Sequence, residues 1–232
     1  MNTEILTKQQ CSVIRAFAIL GIILYNYTHW LLSIVRENEF TYSIEKNTQL
    51  LEVIKNHNEL LPLHLLSYFG HYGVVLFIFL SGFGLVMKYE KSNLSKISIL
   101  SFIRYNYLKL FRIFIVGFTV FVIVDAMTSR THSYYLTHII SMFGMFANLL
   151  SSPSATIWPG PYWSFGVTLQ LYIFYRLFMY RKNNLFVPFI LVLISFILQI
   201  YYQNNEETLK YLRYNFIGWI LPFMGGYYAD DI

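Results

Sequence analysis

The sequence predicts an all-α fold: a polytopic transmembrane helical bundle of six spans plus one re-entrant or interfacial segment. Three observations lead there. Hydrophobic residues fill 56% of the 232 positions and charged residues only 12%, about half the charged share of a typical soluble domain. Long stretches carry no charge at all, notably 72–87, 185–202 and 214–229. At 1.5 Å per helical residue each crosses, or nearly crosses, about 30 Å of hydrocarbon. The apolar runs are also continuous, whereas the strands of a membrane barrel alternate.

The spans are placed at 12–35, 65–88, 110–126, 162–180, 185–203 and 211–229. Lys8 and Arg15 precede or open the first apolar run, but no small-residue cleavage site follows it. It is therefore expected to be a retained span rather than a secretion signal. Residues 36–64 form a long polar loop with an amphipathic stretch around "TQLLEVIKNHNELL". The basic segment "EKSNLSKISILSFIRYNYLKLFR" (90–112) repeats Ile97, Leu100, Ile103 and Tyr107 at helical spacing. It reads as a surface helix running into the third span. The segment 134–150 is apolar but interrupted by His138, Ser141, Gly144 and Asn148.

Charge places these pieces. With 134–150 left out of the count, most of the 17 Lys and Arg fall on the side of the N-terminus, which the positive-inside rule makes cytoplasmic. All six histidines then lie at or toward the other side. The net charge of +5 is explained by this bias and by contact with membrane lipids, so no nucleic-acid partner is expected. The single cysteine, Cys11, excludes an internal disulfide and a cysteine metal cluster; no metal site is expected.

Four constellations could carry chemistry. In "IRAFAILGIILYNYTHW", Arg15 and His29 are 14 residues apart, about 21 Å along a helix. They cannot touch, yet with Asn26 they share a sector of roughly 60°. A polar stripe in a membrane helix faces a cavity or a partner, unless its ends snorkel to the two interfaces. Arg104, Lys109 and Arg112 form a cationic cluster at the start of the third span. It suits a phosphorylated ligand, since guanidinium binds phosphate bidentately, or else anionic lipid. In "PGPYWSFGVTLQLYIFYR", Trp163 anchors an interface, while Ser164, Thr168 and Tyr172 repeat on one face, with Gln170 beyond them. Such groups line a cavity or simply bond within and between helices. In "FIFLSGFGL", Ser81, Gly82 and Gly84 form a small-residue patch suited to close helix packing.

In order and spacing these pieces resemble the acyltransferase-3 family of integral-membrane acyltransferases. "RAFAILGIILYNYTHW", "LFIFLSGF", "FIRYNYLKLFR" and "YWSFGVTLQLY" stand where that family carries its motifs, from Arg15 to Tyr172. The resemblance implies transfer of an acyl group, such as acetyl, from cytoplasmic acyl-CoA to a hydroxyl of a cell-envelope or exported glycan. Acyl-CoA (acetyl-CoA) would be a co-substrate, with no bound cofactor, and the protein would reside in a bacterial inner membrane. Arg15 and His29 would be catalytic, with His29 as the base; Arg104, Lys109 and Arg112 would hold the CoA phosphates. Asn26, Ser81, Trp163, Thr168, Gln170 and Tyr172 would line the cavity. Two positions depart from the pattern. The histidine slot holds Asn26, with His29 about one turn further on, and the glutamate slot holds Thr168. Residues 1–232 are expected to form a single domain, shorter at the C-terminus than the family pattern. The alternative is therefore a truncated, inactive remnant or an accessory membrane protein.

Overall fold

The computed structural model describes residues 5–28, 31, 34–35, 40, 43–56, 58–91, 97–128, 132–182 and 186–229. Every regular element among them is helical. Three helices are long and apolar enough to cross a membrane: α1 (Lys8–Thr28), the continuous helix Tyr72–Glu90, and α5 (Ile99–Met127). The second comprises α4 (Tyr72–Leu85) and a terminal π-helical turn, Val86–Glu90. Shorter pieces complete the chain. The first polar loop contributes α2 (Ile44–Lys55) and α3 (Leu61–Phe69). After α5 come α6 (Leu136–Phe143) and the single-turn α7 (Pro153–Thr156). Next, α8 (Trp163–Phe174) runs into a second π-helical turn, Tyr175–Met179. Last come α9 (Phe186–Tyr201), α10 (Glu206–Tyr214) and α11 (Ile220–Tyr228).

Local chemistry sets several of these limits. Ser98 caps α5, its hydroxyl accepting from the Ser101 amide at 3.2 Å. Asn205 caps α10 by accepting from the Thr208 amide at 3.0 Å, with Glu206 and Glu207 in its first turn and Arg213 in its last. Those charges complement the helix dipole at both ends. The surface helix expected in 90–112 and the third span are one element, since α5 runs unbroken for 29 residues. The segment 134–150 yields only the eight residues of α6 and a 3₁₀ turn at Ala147–Leu149, too short to span. The sixth expected span, 211–229, is broken instead of continuous. Its first part ends α10, residues 215–219 are not regular helix, and α11 has nine residues.

Two seams hold the bundle. In the first, α4 packs between α1 and α11, while α3 also leans on α1. Gly82 lies against the Phe223 carbonyl of α11, and Gly226 lies against the Phe79 carbonyl of α4. Gly73 likewise meets the Ala18 carbonyl of α1. Without a Cβ the backbones reach van der Waals contact, which drives association where lipid removes the hydrophobic advantage of burial. In the second seam α5 faces α8. Tyr107, Phe111, Phe114 and Phe118 recur at i, i+4, i+7 and i+11, one stripe of the helix. Phe114, 1% exposed, meets Tyr162 and Phe165 edge-on at centroid distances of 4.7 and 5.3 Å. Further along, Phe102 meets Tyr175 at 5.9 Å, so α5 and α8 run antiparallel. The Glu90 carboxylate ties the two seams by accepting from the Tyr175 hydroxyl at 2.7 Å.

The outer faces are apolar. Phe17 is 70% exposed, Val116 65% and Ile197 62%. Contiguous apolar surface of this kind on α1, α5 and α9 is incompatible with a monomer in water and fits a hydrocarbon surround.

The loop side is closed by His64 on α3. Its Nδ1 accepts the Val35 N–H at 3.1 Å, which fixes Nε2 as the protonated nitrogen of a neutral ring. Burial pushes its pKa below the ordinary 6.5. The folded state thus favours neutral His64, and its contribution is fully present above about pH 6.5 and lost as pH falls through the lowered folded value. Thermal unfolding in detergent from about pH 7.5 to about pH 5.5 is expected to show falling stability, and His64→Gln to flatten that slope. A second expectation comes from the first seam. Gly226→Ala drives a methyl into the Phe79 carbonyl, with an expected loss of about 1–3 kcal/mol. Gly225→Ala meets only the Phe79 ring, at ordinary contact distances of 3.6 and 3.8 Å, and should unfold near the wild-type temperature.

Candidate functional site

The α1–α4 pair and the α5–α8 pair leave a gap between them. They surround a cavity of about 810 Å³, within the range of small-molecule sites. α1 lines it from Arg15 to Asn26, and the second long helix from Val74 to Tyr89. Those intervals correspond to about 17 and 22 Å of helix, so the cavity is elongated along the bundle axis. Its middle is apolar, built by Ile19, Ile22, Phe77, Ile78, Leu110 and Phe165.

Its ends are polar and different. At one end stand Arg15, Lys88 and Lys109. The Arg15 guanidinium lies beside Gly84, where a Cβ would sit 3.7 Å from it. Lys88 holds its ammonium 4.0 Å from the Tyr105 ring centroid and 5.0 Å from that of Tyr89, close enough for a cation–π contact. The buried Asn106 faces this region and donates to the Phe102 carbonyl at 2.9 Å. All three cations are exposed, so this end of the cavity is open. At the other end stand Gly160, Pro161, Trp163, Ser164, Tyr214 and Arg213. Gly160 and Pro161 are exposed there, and a Cβ on Gly160 would meet nothing within 4 Å. Among the described lining residues there are four Arg or Lys and no Asp or Glu.

Asn148, 7% exposed, fixes the second end. Its Nδ2 donates to the Trp163 carbonyl at 2.8 Å and to the Tyr214 carbonyl at 3.2 Å. Its Oδ1 presses on Gly166, where a Cβ would collide with it. The amide therefore clamps the start of α8 to the end of α10.

The structure brings together Arg15, Asn26, Ser81, Lys109, Trp163, Thr168 and Tyr172, all of which line the cavity. The hydroxyls and amide among them are also bonded locally. Asn26 donates to the Ile22 carbonyl at 2.8 Å, Ser81 to that of Phe77 at 2.9 Å and Thr168 to that of Ser164 at 2.7 Å. Arg104 and Arg112 are exposed and outside the lining. Helical geometry explains Arg104: the lining face of α5 centres on Asn106, Lys109, Leu110 and Ile113, and Arg104 lies about 160° from Asn106. Gln170 is also outside the lining. Its Oε1 accepts the Phe216 N–H at 3.1 Å, supporting the break between α10 and α11. His29 lies outside the described residues. Lys88, Asn106 and Arg213 were not singled out by sequence. Asn106 carried a signal, as an amide inside the basic segment of α5; Lys88 and Arg213 read only as topology charges.

A family model described as an acyltransferase domain, acyltransferase-3, matches residues 11–232. No curated protein and no solved structure matches the chain.

The clamp gives a direct expectation. Asn148→Ala removes the donor shared by two carbonyls and should cost about 1–3 kcal/mol. Gly166→Ala displaces the same amide, so the double variant should lose less than the sum of the singles. Thermal unfolding of the four proteins in one detergent reads both.

Proposed function

The chain belongs to the acyltransferase-3 family, an integral-membrane protein with three membrane-length apolar helices, and from that premise we propose that it moves an acyl group from acyl-CoA to a hydroxyl of a cell-envelope glycan. One observation carries the donor assignment: the Arg15, Lys88 and Lys109 end of the cavity collects cations and no described carboxylate. Coenzyme A presents phosphates, which such a cluster binds through charge-assisted hydrogen bonds. The apolar middle then suits the acyl-bearing arm of the donor. With the N-terminus in the cytoplasm of a bacterial inner membrane, the cation cluster faces the cytoplasmic CoA pool and Trp163 faces the acceptor.

The reaction is direct transfer. A base takes the acceptor hydroxyl proton, the oxygen attacks the thioester carbonyl, the C–S bond breaks, and the sulfur leaves as thiolate and collects a proton. Asn26 lines the cavity, but a carboxamide is not a base at neutral pH. We assign the base to His29, three residues after Asn26 in the sequence, since imidazole titrates in the physiological range. Arg15 neutralises charge on the donor side. Arg104 and Arg112, exposed on the same helix as Lys109, serve as an outer electrostatic attraction for the anionic donor.

The test uses purified protein in nanodiscs, radiolabelled acetyl-CoA and a panel of glycans. Arg15→Ala should raise the KM for acetyl-CoA by roughly 10- to 100-fold, the loss of a charged hydrogen bond. His29→Ala should lower kcat by about 10²- to 10⁴-fold with acetyl-CoA affinity retained. Unchanged turnover in His29→Ala would refute the base; a protein that does not bind acetyl-CoA would refute the donor.

A further inference from the structure

The wall of the cavity is not covered equally all round. On α4 and α8 the lining is sealed: Ile78 is 2% exposed, and Leu85 and Tyr172 are buried as well. On α1 and α5 it is open. Ile19, Ile23 and Ile113 line the same cavity, yet Ile23 is 57% exposed and Ile113 62%. α1 packs on α3 and α4, while α5 packs on α8, so the uncovered side lies between α1 and α5. The cavity therefore opens sideways there, through a slot edged by isoleucines. Both helices are of membrane length, and the slot faces the hydrocarbon around them.

The position of the slot relative to the charges decides what fits it. Arg15 is the last charged residue of α1, and 16–28 follow without charge. On α5 the basic residues end at Arg112, and 113–124 follow without charge. The cationic end of the cavity thus stands where hydrocarbon begins on both helices, which is the level of lipid phosphates. Ile19 lies one turn beyond Arg15, and Ile113 one turn beyond Lys109. The apolar slot therefore starts directly after the charges. A phospholipid matches that spacing, because its acyl chains begin one glycerol away from its phosphate. An acyl-CoA does not match it. The pantetheine arm separates phosphate from acyl group, and its amides would lack partners among isoleucines. That arm has hydroxyls beside it at the opposite wall, on Ser81 and Thr168. No described lining residue is Asp or Glu, so an anionic headgroup finds its complement and the ammonium of a zwitterionic one does not.

We propose that the lateral slot between α1 and α5 is a binding site for an anionic phospholipid of the surrounding leaflet. Its phosphate lies at Arg15 and Lys109 in charge-assisted hydrogen bonds. Its chains lie over Ile19, Ile23 and Ile113. The lipid covers the open side of the cavity with hydrocarbon and brings an anion to its cationic end. Binding of the lipid is independent of the acyl-transfer reading. One consequence rests on that reading: donor and lipid share Arg15, so coenzyme A displaces the lipid.

Native mass spectrometry of the full chain, released from detergent micelles, reads the site. The probes are dioleoyl-phosphatidylglycerol, dioleoyl-phosphatidylcholine and oleoyl-CoA. The wild type is expected to retain one phosphatidylglycerol about tenfold better than phosphatidylcholine. Arg15→Gln and Lys109→Gln should each lower that preference several-fold. Arg15→Lys should keep part of it, which separates loss of charge from loss of fold. Lys8→Gln removes a cation at the exposed start of α1 and should leave the preference unchanged. Ile113→Trp fills the slot and should weaken retention of phosphatidylglycerol. Equal retention of the two phospholipids overturns the proposal, as does a preference that survives both glutamine variants. So does an Ile113→Trp protein that holds phosphatidylglycerol as the wild type does. Retention of oleoyl-CoA without phosphatidylglycerol also overturns it, since the slot would then hold the chain of a donor. Added coenzyme A should release the lipid. If the lipid stays while its dependence on Arg15 persists, the donor assignment fails and the lipid site stands.

Discussion

Charge that has to be kept in contact with water or an anion is the constraint around which this bundle is organised. Arg15, Lys88, Lys109 and Arg213 all face one cavity whose described lining holds no carboxylate. Closing the helices on these side chains would take their charges out of water, at a cost of several kcal/mol each unless every one were fully compensated. The helices therefore stay apart where the cations point, and close packing is concentrated elsewhere. The glycine contacts of Gly73, Gly82 and Gly226 draw α4 onto α1 and α11. The phenylalanine stripe of α5 closes on Tyr162 and Phe165 of the α8 side. Between those two seams α1 and α5 each present a cation and an apolar flank to the void: Arg15 with Ile19, and Lys109 with Ile113.

Most of the frame is legible in the sequence because its signal is local. α1, the helix through Tyr72–Glu90 and α5 are each an apolar run of membrane length, and hydropathy alone finds them. The break at residues 215–219 is not legible. The run 214–229 has no charge, and its only local breaking signals are Gly218 and Pro222, the latter in the first turn of α11. The broken backbone is held by one distant partner and two local ones. Gln170 accepts the Phe216 amide, Asn215 accepts the Ile217 amide at 3.1 Å, and Trp219 donates to the Arg213 carbonyl. Irregular backbone inside a membrane protein survives only when such groups satisfy it, and those pairings exist only after folding.

The site shows the same division. Arg15, Asn26, Ser81, Lys109, Trp163, Thr168 and Tyr172 meet at one cavity, and each was marked by a polar or aromatic residue on an apolar helix. Asn148 was read as an interruption of an apolar segment. Its role as a clamp depends on Trp163 and Tyr214 carbonyls that lie 15 and 66 residues away. Arg104 and Lys109 are near neighbours in one basic run, yet helical rotation sends them to different faces. Lys88 and Arg213 were absorbed into the positive-inside count, which assigns a side of the membrane but not the face of a helix.

Two different ends on one elongated cavity constrain how the proposed transfer can work. A donor held by its phosphates at the Arg15 end extends its thioester along the apolar lining, and an acceptor approaches from the opposite mouth at Gly160 and Pro161. Their reacting atoms meet in the apolar middle, where the hydroxyls of Ser81 and Thr168 are already bonded to their own helices. Such groups orient a substrate but do not take its proton. In the proposed transfer the proton is therefore taken by a group other than these. The proposed assignment gives that role to His29, so a single imidazole decides whether two bound substrates react or only bind.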